Sequence, residues 1–346
     1  MKYLLLLWLG LSLSLPTYAK VVGQLHTPIA NNAVAGAKTK AGWQLFSFNG
    51  LLAGKDHHAV TNLAQVYNVS SGKSELIKTV PFKNGRLASI AVTVDNMIYL
   101  FGGYTVSADH QEKSLADVYQ FNPQTKEFTL FTQMPISVDD TVALVYQDRY
   151  IYLVSGWHDV GNVADVQVLD TKTKYWFYAT PYPGKSVFGH GAGIVGNQMV
   201  VADGVKVVGI KNNRRQYEMS ASSWLGTINS KNLTQIDWQE LPKHPGKAKY
   251  RMAVAGVATQ HKIIFAGGSN NPYNYNGIGY NKIPSEPSNE VFAWDLKAAK
   301  WQTLKPLATS SMDHRGLIEI DDKLYIIGGM GEKQVVTGTV SVYDLN

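Results

Sequence analysis

The chain has no cysteine among its 346 residues. That absence excludes disulfide staples, thiolate nucleophiles and Cys-based metal sites together. Helical periodicity is sustained nowhere, which argues against an α-helical or α/β domain. Basic residues never run to five in a row, and Arg214-Arg215 is the sole arginine doublet. The formal net charge of +6 is therefore dispersed, and no nucleic-acid partner is expected. Past the N-terminus no apolar stretch approaches the roughly 20 residues that a spanning helix needs. Gly-x-Ser-x-Gly elbows, zincin helices and phosphate-cradling Walker loops are absent as well. What is present is a globular composition, 45% hydrophobic and 17% charged, sufficient for a real core.

The first 19 residues read as a secretory signal. Lys2 supplies a positive charge, Leu4 to Leu15 is a short apolar run, and Thr17 and Ala19 place small residues at a cleavage site after Ala19. Residues 20–346 would then form a single domain, periplasmic or secreted from a bacterium, with no membrane association after cleavage. A Cys-free exported protein suits a bacterial periplasm.

Internal repetition is the dominant signal. A β-branched or aromatic run ending in a small pair recurs six times, closing at Asn49-Gly50, Gly102-Gly103, Ser155-Gly156, Asp203-Gly204, Gly267-Gly268 and Gly328-Gly329. The copies lie roughly 50 to 65 residues apart, the spacing of propeller blades. Each pair is followed by a loop and an alternating strand such as Val118-Tyr119-Gln120-Phe121. Next comes an aromatic that opens another strand (Phe128, Trp176, Trp238, Trp301) and then a proline (Pro81, Pro135, Pro181, Pro242, Pro306). Proline cannot donate to a ladder, so it suits the end of an outer strand. The glycines are expected to serve turn geometry and the tryptophans to pack between blades.

This pattern of Gly-Gly, Tyr and Trp resembles the kelch repeat, and the resemblance covers the whole mature chain. It implies an all-β, six-bladed propeller. The sixth copy lacks a fourth strand, and Val21 to Pro28 has the strand-then-proline form that would supply it. The ring is thus expected to close by pairing the N- and C-terminal strands in one blade.

In a four-stranded blade, the loop after the small pair lies beside the lead-in to the innermost strand, so one face collects both. Counting back from the pairs puts Asn31-Asn32, Arg86, Asp139-Asp140, His190, Arg251 and Asp313-His314-Arg315 around the mouth of a central channel. Such a ring suits an anionic or hydroxyl-rich ligand, through guanidinium forks and carboxylate acceptors. Hydrogen bonding to neighbouring blades is the competing role for the same residues. The loops on this face add Trp157, the basic pair Arg214 and Arg215, and Tyr273 and Tyr275 in an Asn/Tyr-rich segment. These residues suit sugar stacking or protein contact alike. His57-His58 has no third ligand at a recognisable spacing, so neither a metal nor any other cofactor is expected.

The run Ile263-Ile264-Phe265-Ala266-Gly267-Gly268, the Asn/Tyr-rich loop after it and the terminal closure are similar to the periplasmic N-acetylneuraminate mutarotase (epimerase) family. That resemblance implies acid-base ring opening of a sugar, with His190 or an Asp as the proton-transfer group and Arg86, Arg251 or Arg315 as the carboxylate clamp. The family's Gly-Glu pair has no match, because the corresponding segment reads Asp203-Gly204-Val205. Galactose oxidase also has a kelch propeller, but its copper site needs a Cys-linked Tyr and is excluded here. Two classes stay open: a non-catalytic propeller binding a carbohydrate, such as an acidic sugar, or a protein partner; and a sugar mutarotase.

Overall fold

The structure, a computed structural model, describes residues 19–212 and 214–345. The expected signal segment lies outside these residues except for Ala19. Strand β1 spans Ala19–Gln24 and waits for a partner at the other end of the chain. Blade one is β2 (Ala33–Thr39), β3 (Gly42–Leu51), β4 (Val60–Asn68) and β5 (Ser74–Ile77). Blade two contains β6 (Ile90–Val94), β7 (Met97–Phe101), a projecting hairpin of β8 (Tyr104–Val106) and β9 (Glu112–Ser114), then β10 (Asp117–Asn122) and β11 (Glu127–Gln133). Blade three repeats the plan with β12 (Val142–Tyr146), β13 (Tyr150–Val154), hairpin β14 (Trp157–His158) and β15 (Gly161–Asn162), β16 (Val166–Asp170) and β17 (Trp176–Ala179). Blade four has β18 (Gly191–Val195), β19 (Gln198–Ala202), hairpin β20 (Val205–Lys211) and β21 (Arg214–Met219), β22 (Ser223–Asn229) and β23 (Asn232–Leu241). Blade five is β24 (Ala253–Val257), β25 (Lys262–Ala266), β26 (Val291–Asp295) and β27 (Lys300–Thr303). Blade six supplies β28 (Ile318–Ile320), β29 (Lys323–Ile327) and β30 (Thr339–Asp344).

Each blade is a four-stranded antiparallel sheet, and the sixth has the order β1-β30-β29-β28. Ala19 pairs with Tyr343 and Gln24 with Thr339, so the expected closure by both termini is present. Inner and second strands are joined by two-residue turns at Asp95-Asn96 and Asp321-Asp322, with both residues of each left-handed. Short polar residues tolerate that conformation, and it matches the twist of the flanking strands.

Burial explains the composition of each strand. Second strands lie between neighbouring blades and are covered on both faces, so β7, β13, β19 and β25 read as nearly continuous apolar runs. Outer strands are wet on one side, as in β11 and β23. Packing between blades is largely aromatic. Phe46 and Phe48 of blade one each approach Phe121 of blade two edge-on, at 5.2 Å between ring centroids. Burial of one such ring contributes about 2 to 3 kcal/mol. Trp176 packs against Phe101 of the preceding blade, the role expected of the repeated aromatics.

Candidate functional site

At one end of the axis every blade repeats the same device. The residue leading into the inner strand is left-handed: Asn31, Ala88, Asp140, Gly189, Arg251 and Asp313, with φ between 48° and 68°. The residue just before it bridges to the residue just after the small pair, as in Ala30 to Leu51, Asp139 to Trp157 and Tyr250 to Ser269. This close approach is why glycine is needed there. A Cβ on Gly50 would stand 2.4 Å from the Ala30 carbonyl, and one on Gly103 2.5 Å from that of Leu87.

The left-handed residues also bond to one another around the axis. Asp140 N donates to Ala88 O (3.2 Å), Gly189 N to Asp140 O (2.8 Å), Arg251 N to Gly189 O (2.8 Å) and Asn31 N to Asp313 O (3.2 Å). Ala88 N completes that stretch by donating to Asn31 Oδ1 at 2.5 Å. A left-handed non-glycine residue costs on the order of 1 kcal/mol, and these bonds offset it.

The side chains carried by this ring cross the axis and plug it. Arg251 Nη2 and Nε donate to Asp140 at 2.6 and 3.2 Å, and its Nη1 donates to Asp313 Oδ1 at 2.9 Å. Arg315 Nη1 reaches Asp140 Oδ1 at 2.7 Å. Asn31 Nδ2 and the Tyr273 hydroxyl donate to Asp313 Oδ1 at 3.1 and 3.4 Å. Two carboxylates thus balance two guanidinium groups, and all four side chains are buried. Burial alone would raise the Asp140 carboxyl, but the two arginines pull it below the usual range. Below the plug runs the channel, about 580 Å³, walled by inner strands such as Val34–Gly36 and Gly191–Gly193. His190 and His314 line its upper end, and burial lowers them to about 4 and about 3 respectively.

Above the plug are two adjoining lobes of about 100 and 210 Å³ that share Tyr104, Glu112, Asp139, Trp157 and Tyr217. Their walls are aromatic: Tyr217 stacks on Tyr280 at 4.2 Å, and Trp157 meets Phe188 edge-on at 5.3 Å. Tyr275 and Asn274 close one side, and Asp140 with Arg251 forms the floor. Asp139 is only 2% exposed and accepts from Ser114 Oγ at 2.6 Å. Desolvation, reinforced by neighbouring Asp140, holds its carboxyl well above the usual range. Glu112 is exposed overall, yet partial desolvation pushes its carboxyl upward too.

The residues singled out in the sequence separate into groups. Asp140, Arg251, Asp313 and Arg315 form the plug, with Tyr273 fully buried behind it. Asp139, Trp157, Arg215 and Tyr275 line the lobes, Arg215 lying 5.1 Å from the Trp157 ring. His190 and His314 face the channel instead. Arg86 turns away, donating to Asp117 Oδ2 at 2.6 Å and covering Phe82. Arg214 sits exposed on β21, paired in register with Lys211. Tyr104 and Glu112, on the projecting hairpin of blade two, escape a search of strand lead-ins. Among the described residues, no cluster of three or more His, Cys, Asp or Glu is arranged to hold a metal ion, and no helix is long and apolar enough to cross a membrane.

Comparison with known proteins agrees with this architecture. The family profile of the Kelch motif matches residues 91–135, which run from β6 through β11 of blade two. The chain is 23% identical over 273 residues to Kelch domain-containing protein 3 of Homo sapiens, a match covering 72% of this chain and 66% of that protein. It is 24% identical over 275 residues to Kelch-like protein terF of Aspergillus terreus, covering 77% of this chain and 54% of the fungal one. The chain therefore spans less than two thirds of the length of these relatives. Among solved structures, that of YjhT superposes with a TM-score of 0.71 at 15% identity, covering 92% of this chain and 96% of the other. At that identity the likeness shows a shared fold.

Proposed function

The chain is a kelch-type β-propeller, and on that footing we propose that it binds a carbohydrate in the aromatic lobes above its axial plug. Kelch propellers generally bind proteins or small ligands, and a site must be argued from its own geometry. One observation carries the reading: the lobes combine stacked tyrosines and Trp157 with amide and carboxyl groups at their edges and floor. Ring faces suit the C–H faces of a sugar, while Asn274, Glu112 and Asp139 can bond its hydroxyls. Of the arginines that an acidic sugar would need, Arg251 is engaged with Asp140 and Asp313, and Arg315, whose Nε and Nη2 are unpartnered among the described residues, lines the channel below the plug and not the lobes. The site is thus better matched to a sugar without a carboxylate.

Export to the periplasm remains part of this proposal and is tested by fractionating cells that express the full chain. For binding itself, saturation-transfer NMR with a panel of monosaccharides is the test. Transfer to sugars that disappears in Trp157→Ala supports the site. Transfer unchanged by that substitution removes it.

A second reading has its own support. Asp139, whose carboxyl burial raises, stands beside Asp140, whose carboxyl the arginines lower, at the floor of the same lobes, and carboxyl groups pushed apart in this way can divide the roles of acid and base. Sugar mutarotation by Asp139 and Asp140 would accelerate anomer exchange in NMR exchange spectra. Binding without acceleration leaves the protein a receptor.

A further inference from the structure

Resting on the carbohydrate reading, we propose that the lobes above the plug select a sugar bearing a protonated primary amine, with Asp139 and Glu112 as its counterions. Charge is the first discriminator. Asp140 and Asp313 are matched by Arg251 and Arg315 inside the plug, so none of these four offers net charge to a ligand. The remaining ionic groups lining the lobes are Glu112, Asp139 and Asp159 against Arg215. Three acids thus face one arginine. Arg215 does not neutralise the floor, because it sits at the rim, exposed, over Trp157 and bonded to Val160 O at 3.2 Å.

Geometry narrows the choice further. Asp139 is 2% exposed, lines both lobes and accepts one bond on Oδ2, while among the described residues no donor reaches its Oδ1. A buried carboxylate without a cation is expensive and is stabilised by whichever positive group reaches it. Around it stand the rings of Tyr104, Trp157 and Tyr217, and the face of such a ring attracts a cation through its quadrupole. A carboxylate floor under aromatic walls matches an ammonium group better than a hydroxyl. An N-acetyl group would remove the charge and add bulk to lobes of only about 100 and 210 Å³.

Ligand binding should also release a proton. The groups facing Asp139 are Asp140, Glu112 and Arg315, and those facing Glu112 are Arg251 and Asp140; His110 and Asp159 complete the outer lobe. Burial and like-charged neighbours raise the Asp139 carboxyl and favour its protonated form when the site is empty, and an arriving ammonium favours its ionised form. Amine affinity is therefore expected to rise with pH for as long as the sugar's own ammonium stays protonated, while affinity for a neutral sugar does not follow that rise.

The experiment is calorimetric titration of the purified protein with glucosamine and galactosamine, each against its N-acetyl form, the parent hexose and the matching uronic acid. Cadaverine serves as an amine without a sugar. At least tenfold tighter binding of an amino sugar over its N-acetyl and uronic counterparts, falling to near parity in Asp139→Asn, supports the proposal. Equal or tighter binding of the N-acetyl sugar or the uronate overturns it and leaves the carbohydrate reading standing. Binding of cadaverine with no sugar bound has the converse meaning: the amine preference stands and the carbohydrate reading falls. If Asp139→Asn does not fold, Glu112→Gln, on the exposed β9 hairpin strand, must reduce the amine preference by at least threefold. An undiminished preference in that variant overturns the assignment of the counterions.

Discussion

Arg251 of blade five holds Asp140 of blade three by two N–H···O bonds, Nη2 to Oδ2 at 2.6 Å and Nε to Oδ1 at 3.2 Å. Because Arg315 also engages Asp140, the two partners are not equivalent. Asp140→Ala leaves the buried Arg315 without its acid partner and removes two of the Arg251 bonds, and is expected to cost about 3 to 5 kcal/mol. Arg315→Met leaves both Asp140 and Asp313 bound to Arg251 and should cost less. Urea unfolding of both variants checks the order, and equal losses would show that Arg251 alone does not hold the two acids.

The buried histidines set an acid limit. Burial lowers His190 to about 4 and His314 to about 3, so both are neutral in the folded protein at pH 5, while the unfolded chain takes up protons below about 6.5. Their effect on stability is absent above that pH and grows as pH falls, at about 1.4 kcal/mol per unit for each histidine. Asp139, Glu112 and Asp203 act in the opposite sense, since their raised values favour protonation in the folded state. The clean measurement is therefore a difference between wild type and His190→Asn, followed from pH 7 to pH 4. It should change by about 3 kcal/mol in favour of the variant. A flat difference would mean that His190 is not held neutral.

Gly189 cannot accept a side chain. A Cβ there would lie 1.9 Å from Tyr250 Cε2, at a φ of +60°, and Tyr250 itself bonds Asp140 at 3.3 Å. Gly189→Ala is expected to lose at least about 3 kcal/mol. Gly196 has nearly the same φ, +59°, but open space around it. Gly196→Ala should cost only about 1 kcal/mol. Thermal melts of the pair separate the collision from the backbone strain.

The lobe walls should matter for ligand more than for folding. Trp157 and Tyr217 are half-buried, and Tyr217 rests on Tyr280 at 4.2 Å. Alanine at either position is expected to weaken sugar binding tenfold or more, about 1.4 kcal/mol. Calorimetric titration beside a denaturation curve reports both effects, and a stability loss exceeding the binding loss would make these rings structural.

The architecture was legible because a propeller writes its rule six times. Apolar second strands, small pairs and closing prolines each repeat, and even the missing fourth strand of blade six pointed to Val21–Pro28. The lead-ins were legible too, since the bridges from Ala30, Asp139 and Tyr250 place them beside the small pairs as the repeat implies. What repetition cannot encode is the direction of a long side chain. Arg86 stands two residues before the left-handed Ala88, whereas Arg251 is itself the left-handed residue of its blade, and one turns outward to Asp117 while the other turns inward to Asp140. The offset of two residues within the lead-in sets that direction, together with, for Arg251, an acid supplied by another blade. Glu112 belongs to the hairpin of blade two, outside the repeat, so no repeat could single it out, whereas Tyr104 holds the place after the small pair that Trp157 holds in blade three.

The strand that completes blade six comes from the opposite end of the chain, with Ala19 beside Tyr343. Joining the ends of a long chain raises the entropic cost only logarithmically, so closure weighs little on equilibrium stability. Its weight falls on time. Contacts of such sequence separation form late, and until β30 receives β1 the ring presents an open edge that a second copy could fill. The interval before closure, more than the finished ring, is where this protein is exposed to misassembly.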